Sequence, residues 1–197
     1  MEGFTRTEIK ADHVLDSKGL SCPMPVVKTR KEIDKLDSGK VLLVEATDPG
    51  SKADLKAWSE RGGHQYLGVV EDGDVIKHYI RKASEEEANE ETTHENKVDN
   101  EQLKEKLASG DVTLVDVREP AEYAFGHIPN AISIPFGELE ARLDELNKDQ
   151  EVYVVCRTGN RSDMAAQLLD EKGFEKVYNV VPGMSTWDGD VDSEQSK

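Results

Sequence analysis

Cys156 stands where an apolar run ends, and the residues after it could hold an anion. In VVCRTGNRS, Arg157 and Arg161 follow the cysteine within five positions, with Gly159 between them. A short loop with glycine can turn backbone N–H groups inward, and the next helix adds its positive end. Such donors favour a thiolate, and the arginines add planar forks for an oxyanion. The pattern predicts attack by sulfur on an anionic substrate rather than a buried core cysteine.

Cys22 lies before two prolines in GLSCPMP, directly ahead of a helical pattern. If Cys22 is the N-cap, Pro23 is N1 and Pro25 is N3, where the missing N–H costs no helical hydrogen bond. The macrodipole would then lower the pKa of the thiol. Because Ser, Thr, Asp and Asn cap helices far better than Cys, we expect that Cys22 is present for its chemistry.

The elements that must position Cys22 form a small α/β unit. VLLVEAT is typical of a buried strand, and Ser51 can cap a second helix that ends at Gly62. Two β-rich runs flank Asp72-Gly73, which indicates a hairpin. The order βαβαββ predicts a two-layer α/β sandwich over residues 1–82.

Cys156 belongs to a second unit, in which strands alternate with helices. NEQLKEKLAS indicates a helix that Gly110 ends, SDMAAQLLDEKG indicates another, and VTLVDV, EVYVVC and EKVYNVV are typical of buried strands. Such alternation implies right-handed crossovers and a parallel sheet, whose ligand sites lie beyond the carboxyl ends of the strands. Cys156 falls at such an end. We therefore expect an α/β domain with a parallel sheet over residues 98–197.

An acidic stretch, residues 83–97, separates the two units. Residues 84–99 carry seven acidic groups and one basic group, whereas residues 1–83 carry 14 of each. The stretch has too few apolar side chains to offset the entropy of ordering it. We expect a flexible, self-repelling linker, with a solvated acidic helix as the alternative.

The second unit resembles the rhodanese family of sulfurtransferases. LVDVREPAEYAFGHIPNAISIP, VVCRTGNRS and VVPGMSTW carry the resemblance across residues 98–190, with Pro182 as a departure where the family often has glycine. It implies a rhodanese-like α/β fold, a persulfide on Cys156 and a six-residue loop of the length used for sulfur transfer. The loop would hold the transferred sulfur or the oxygens of the donor. The substrate-binding residues implied are Arg157, Thr158, Gly159, Asn160, Arg161 and Ser162.

The first unit resembles the TusA-like (SirA) sulfur carriers. The CPxP motif in GLSCPMP carries the resemblance, together with LLVEATDPGSKADLKAW and YIRK, over residues 13–82. It implies a domain that holds sulfur as a persulfide on Cys22, at a helix start fixed by Pro23 and Pro25, and that passes it on by docking. No metal or organic cofactor is implied, only the covalent persulfide.

Charge and hydropathy limit the partners. The formal net charge is −16, which opposes nonspecific attraction to nucleic acid or to anionic membranes. No window approaches the length of a membrane span, and the N-terminus lacks the apolar core of a signal peptide, so we expect a cytoplasmic protein. The expected partners are a small sulfane-sulfur donor and sulfur-relay proteins such as a cysteine desulfurase, with no nucleic acid and no membrane.

The two thiols together predict a sulfurtransferase. We expect Cys156 to take sulfur from thiosulfate, a polysulfide or a small persulfide, and to relay it to Cys22, although the sequence equally allows the reverse direction. One alternative is an adaptor that senses sulfur or recruits a desulfurase or acceptor without turnover. Another is a redox disulfide between the two cysteines.

Overall fold

A computed structural model describes residues 8–84 and 92–194. The chain divides into two compact units, with the boundary between residues 85 and 86. Residues 85–91, seven of the fifteen residues of the predicted acidic linker and part of the acidic helix that was its alternative, lie outside the described residues. In the described part of the chain, no helix is long and apolar enough to cross a membrane.

The first unit has the predicted order βαβαββ. Its sheet is ordered β1-β2-β4-β3, with β1 parallel to β2 and the other two pairs antiparallel. Its elements are β1 His13–Ser17, α1 Met24–Ile33, β2 Val41–Ala46, α2 Ser51–Arg61, β3 Gln65–Asp72 and β4 Val75–Arg81.

Both helices of this unit pack on one face of the sheet. Ile33 of α1 and Leu55 of α2 meet Leu42, Val44 and Ile80 in one fully buried cluster. Leu42 and Val44 are two positions apart and therefore point to the same face of β2. The prediction of a two-layer sandwich is confirmed.

Ser51 is not the cap that the sequence suggested. It is the first residue of α2, whose N-cap is Gly50. The hydroxyl of Ser51 is hydrogen-bonded to Nε2 of the buried His78 at 2.9 Å, and the hydroxyl of Tyr66 lies 2.8 Å from Nδ1. A buried imidazole needs a hydrogen-bond partner on each nitrogen. The hydroxyl of Ser51 therefore bonds to His78 instead of capping the helix. Burial lowers the pKa of His78 to about 4.

The second unit is built on a parallel sheet ordered β5-β9-β8-β6-β7. Its strands and α-helices are β5 Lys97–Val98, α3 Asn100–Ser109, β6 Val112–Asp116, α4 Pro120–Phe125, β7 Ile132–Ser133, β8 Glu151–Val155, α5 Asn160–Glu171 and β9 Val177–Val180. Among the described residues of this unit, 3₁₀ helices cover Phe136–Glu138, Glu140–Glu145 and Met184–Thr186. The parallel α/β fold is as predicted.

Helices cover both faces of this sheet. Val152 and Val154 of β8 pack with Leu169 of α5, whereas Tyr153, on the opposite face, packs with Leu103 of α3. Every residue of β8 after the first is therefore buried, as its unbroken apolar run indicates. The strand carries Cys156 to the carboxyl edge of the sheet, which is where ligand sites of such sheets lie.

The sequence placed the end of the acidic linker too late. Thr93 and His94 donate their backbone N–H groups to the carboxylate of Asp163 in α5, at 3.1 and 2.9 Å. His94 is also buried, and its Nε2 bonds to the carbonyl of Val177 at 2.9 Å. Residues 92–97 thus belong to the second unit. These hydrogen bonds order a polar segment that, from its composition alone, we expected to be flexible.

Candidate functional site

Cys156 is a buried thiol at the end of β8, surrounded by hydrogen-bonding groups. The backbone N–H of Gly159 donates to its Sγ at 3.1 Å, and the hydroxyl of Ser162 lies 3.3 Å from the same atom. Ser162 donates to Oδ1 of Asn179 at 2.6 Å, and Nδ2 of Asn179 donates to the carbonyl of Gly159 at 3.1 Å. The sulfur therefore sits in a closed polar ring that also fixes the loop.

Glycines make this loop sterically possible. Gly159 has φ +96° and is the N-cap of α5, a left-handed position that favours glycine. Gly183 has φ +94°, and a Cβ there would lie 2.4 Å from the carbonyl oxygen of Cys156. The N–H of Met184 donates to that oxygen at 2.9 Å. The segment after β9 is thus held directly against the loop, and Pro182 does not prevent this approach.

The two arginines of the loop lie in different surroundings. Both guanidinium ends of Arg161 donate to the carboxylate of Glu122 in α4, at 2.8 and 3.1 Å, and both side chains are buried. Arg157 is half-buried, and its side chain makes no hydrogen bond or ion pair with any residue that the structure describes. Arg161 therefore braces the loop, and Arg157 is the arginine left to meet an anion.

The backbone between the arginines also offers donors. The N–H groups of Arg157 and Thr158 donate to no acceptor in the described parts of the chain, and the hydroxyl of Thr158 is buried with no partner there. Asn160 begins α5, so the positive end of that helix faces the same loop. Groups of this kind suit an anionic sulfur or the oxygens of an anionic donor.

Cys22 has the opposite surroundings. It is exposed, its backbone N–H donates to Oδ2 of Asp48 at 2.8 Å, and its thiol donates to Oδ2 of Asp54 at 2.6 Å. The hydrogen bond to Asp54 raises the pKa of the Cys22 thiol, and burial and the charges of Asp54 and Asp48 act in the same direction. The expectation that the helix would lower this pKa is wrong, because the nearest charges are carboxylates.

The start of α1 lies one residue later than predicted. The N-cap is Pro23, Met24 is the first helical residue and Pro25 is the second, so Cys22 precedes the cap. Pro25 is buried, while Pro23 and Cys22 are exposed. The prolines still occupy positions without a helical N–H partner, which keeps the thiol beside the helix start.

Sequence reasoning missed the side chains that act on the two sites from positions far away in the sequence. Asn179 could have been found as a lone amide in the otherwise apolar run VYNVV. Glu122, Asp48 and Asp54 carry no such signal, since acidic residues are common throughout the chain. No group of three or more His, Cys, Asp or Glu side chains that could hold a metal ion occurs in the described residues.

Comparisons with known proteins agree with this division of the chain. The Rhodanese-like domain family matches residues 99–190, and the family described as Sulfurtransferase TusA matches residues 13–82. A protein named "Putative sulfur carrier protein YrkF", from Bacillus subtilis (strain 168), is 46% identical over 182 residues, which are 92% of this chain and 98% of that protein. The chain belongs to the sulfur-carrier family that joins a TusA domain to a rhodanese domain.

Each domain also has relatives of its own. "Putative sulfur carrier protein YrkI" of Bacillus subtilis is 53% identical over 74 residues, which are 38% of this chain and 99% of that protein. A protein of Allochromatium vinosum named "Sulfurtransferase" is 41% identical over 93 residues, which are 47% of this chain and 87% of that protein. The TusA domain thus contains Cys22 and the rhodanese domain contains Cys156, and both domains support a role in sulfur transfer.

Proposed function

We propose that the protein is a sulfurtransferase in which Cys156 forms a persulfide and exchanges the sulfur with Cys22. The observation that carries the proposal is the loop around Cys156, where the N–H of Gly159 meets the sulfur and Arg157 has no partner among the described residues. Such donors stabilise the negative charge that sulfur carries as attacking thiolate and as persulfide.

The first step would load Cys156. Its thiolate attacks the outer sulfur of a donor such as thiosulfate, the S–S bond of the donor breaks, and sulfite leaves with the electron pair. Polysulfides and small persulfides react in the same way, with a shorter polysulfide or a thiol as the leaving group. Arg157 and the N–H groups of Arg157 and Thr158 would hold the anion, and the proposed step requires no metal or organic cofactor.

The second step would move the sulfur to Cys22. The thiolate of Cys22 attacks the outer sulfur of the protonated Cys156 persulfide, a new S–S bond forms on Cys22, and Cys156 leaves as a thiolate. Tethering in one chain raises the effective concentration of the two sites. The exposed Cys22 then delivers sulfur to an acceptor protein. The reverse flow, with Cys22 loaded by a cysteine desulfurase, uses the same bonds.

Mass spectrometry of the intact protein after incubation with thiosulfate or polysulfide tests the relay. Wild type should gain one or more sulfur atoms on both cysteines, Cys22→Ser should still gain sulfur on Cys156, and Cys156→Ser should leave Cys22 unloaded. Loading of Cys22 at the wild-type rate without Cys156 would reject the obligatory relay.

Product release separates an enzyme from an adaptor that only binds sulfur. With excess thiosulfate and an acceptor thiol, turnover should release many sulfite molecules for each protein chain. Release that stops at one sulfite per cysteine would contradict the proposed enzyme and support the adaptor.

A further inference from the structure

The charged side chains that act on the Cys22 sulfur are both anions. Asp54, in the first turn of α2, accepts a hydrogen bond from the thiol, and Asp48, in the loop before α2, accepts one from the backbone N–H of Cys22. Asp48 also accepts the N–H of Gly50 at 3.0 Å, so its carboxylate is fixed by two backbone donors. Asp54 therefore holds the thiol, while Asp48 holds the backbone beneath it.

This arrangement opposes the reaction that Cys22 must perform. Sulfur exchange needs a thiolate, but a thiol that donates to a carboxylate keeps its proton, and a second carboxylate nearby adds to the effect. Because Cys22 is also exposed, a permanently ionised thiol would react with any electrophile that reached it. These surroundings therefore disfavour the thiolate of Cys22.

We propose that Asp54 holds Cys22 in its protonated form until the Cys156 loop presents Arg157 to the Asp54 carboxylate. This inference rests on the proposed relay, and it makes Asp54 and Arg157 a pair that is formed only during transfer. The supporting observations are charge complementarity between the two sites and the absence of any partner for the Arg157 side chain in the described residues.

The proposed step balances without an added reagent. The guanidinium of Arg157 pairs with the Asp54 carboxylate, the thiol loses its hydrogen-bond acceptor, and its proton passes through solvent to the Cys156 persulfide anion. The Cys22 thiolate then attacks the outer sulfur of the protonated Cys156 persulfide, whose S–S bond breaks as the new one forms. The sulfur keeps its oxidation state, and Cys156 leaves as a thiolate.

Alkylation of Cys22 tests the first half of the inference. In a Cys156→Ser background Cys22 is the only thiol, so the rate of its reaction with iodoacetamide as a function of pH reports its ionisation. Asp54→Asn should move the midpoint of the profile to lower pH, with alkylation about tenfold faster at pH 7. Asn and Asp have similar helix propensities, so α2 should persist, and Asp54→Ser provides a second variant.

Asp37→Asn is the matched control, because it removes an acidic group from the same domain that does not act on Cys22. Its profile should equal that of the parent. If the profiles of both Asp54 variants also equal that of the parent, Asp54 does not hold the proton and the inference is overturned.

A double-mutant cycle tests the pairing with Arg157. Protein loaded on Cys156 is followed through a single transfer to Cys22 by rapid acid quench and mass spectrometry, with each rate taken relative to the loaded fraction. Arg157→Gln should slow transfer about tenfold in wild type and much less in Asp54→Asn, which has no carboxylate to neutralise. Equal slowing in both backgrounds would reject Arg157 as the partner of Asp54.

The two experiments also separate this inference from the proposed function. If wild-type Cys22 never receives sulfur from Cys156, the relay fails, and with it the role of Arg157, while the alkylation profile still decides whether Asp54 controls the thiol. If transfer occurs but the profiles do not differ, the relay stands and the gate does not.

Discussion

The two cysteines occupy surroundings that differ in each property that controls a thiol. Cys156 is buried, its sulfur receives a backbone N–H, and the next residue is Arg157, whose side chain has no partner among the residues that the structure describes. Cys22 is exposed, its thiol donates to Asp54, and Asp48 is the other charge that acts on it. The sulfur of Cys156 therefore accepts a hydrogen bond, whereas the sulfur of Cys22 donates one to a carboxylate.

This difference suits the two tasks that the proposed relay assigns to the two thiols. A thiol that captures sulfur from a small anion needs donors that attract the anion and stabilise the charge on sulfur. A thiol that carries sulfur between proteins needs access, and its reactivity must wait for the correct partner. The same residue type can serve both tasks because different neighbours surround its sulfur.

Breaking the buried pair behind the Cys156 loop should have the largest effect on stability. Glu122→Gln leaves Arg161 buried without its anion, so we expect a loss of about 3–5 kcal/mol in the free energy of unfolding of the rhodanese domain. The chain has two tryptophans, Trp58 and Trp187, one in each domain. In a Trp58→Phe background, urea unfolding followed by tryptophan fluorescence reports the rhodanese domain alone.

Glu145→Gln is the control for that experiment. Glu145 pairs with Arg142 through partly exposed side chains, and removing such a surface pair should cost at most about 1 kcal/mol. A similar, small loss in both variants would mean that the loop does not depend on its buried ion pair, and the contrast between the two cysteine sites would lose its structural basis.

The TusA domain should instead be sensitive to acid through His78. In the unfolded chain this imidazole takes up a proton near pH 6.5, whereas in the folded domain it does so only near pH 4. Its stabilisation is therefore complete above pH 6.5 and declines as the pH falls, by about 3 kcal/mol at pH 4. Urea unfolding in a Trp187→Phe background, from pH 7 to pH 4, measures the loss.

His78→Gln removes the titrating group and serves as the reference. The difference between the parent and the variant should shrink as the pH falls from 6.5 to 4, because carboxylates contribute equally to both curves. A constant difference over that range would show that His78 is not held neutral between Ser51 and Tyr66.

Local patterns in the sequence were sufficient for most of the fold. The apolar run before Cys156 is β8, Gly110 ends α3 in a left-handed conformation with φ +86°, and the first unit has its predicted order. Each of these features depends on hydrophobic periodicity or on the backbone preference of a single residue. Both can be recognised from a short stretch of sequence. The strands β5 and β7 have two residues each, too few to show any period.

The electrostatics of both sites could not be predicted in this way. Asp54 lies 32 positions after Cys22, and Glu122 lies 39 positions before Arg161. Only the folded chain brings these pairs together. Their charges contradict the expected pKa shift of Cys22 and give Arg161 a partner within the protein. The pKa of Cys22 is raised rather than lowered, and Arg161 braces the loop with Glu122.

The smallest expected effect concerns two glycines that flank α5. Comparing their alanine variants separates the cost of backbone strain from the loss of the hydrogen bond to Cys156. Gly159 and Gly173 flank α5 with φ +96° and +90°, so alanine at either position should cost about 1–2 kcal/mol of stability. A Cβ on residue 159 would lie 3.3 Å from Val181, whereas one on residue 173 would meet only the flexible end of Lys148.

Sulfur loading should distinguish these two variants. Gly159→Ala displaces the N–H that donates to the Cys156 sulfur, and loss of a hydrogen bond to a charged atom corresponds to about a tenfold slower reaction with thiosulfate. Gly173→Ala should load at the wild-type rate despite a similar loss of stability. If Gly159→Ala takes up sulfur at the rate of Gly173→Ala, this N–H does not stabilise charge on sulfur. The two thiols would then differ in burial and in their charged neighbours but not in this donor.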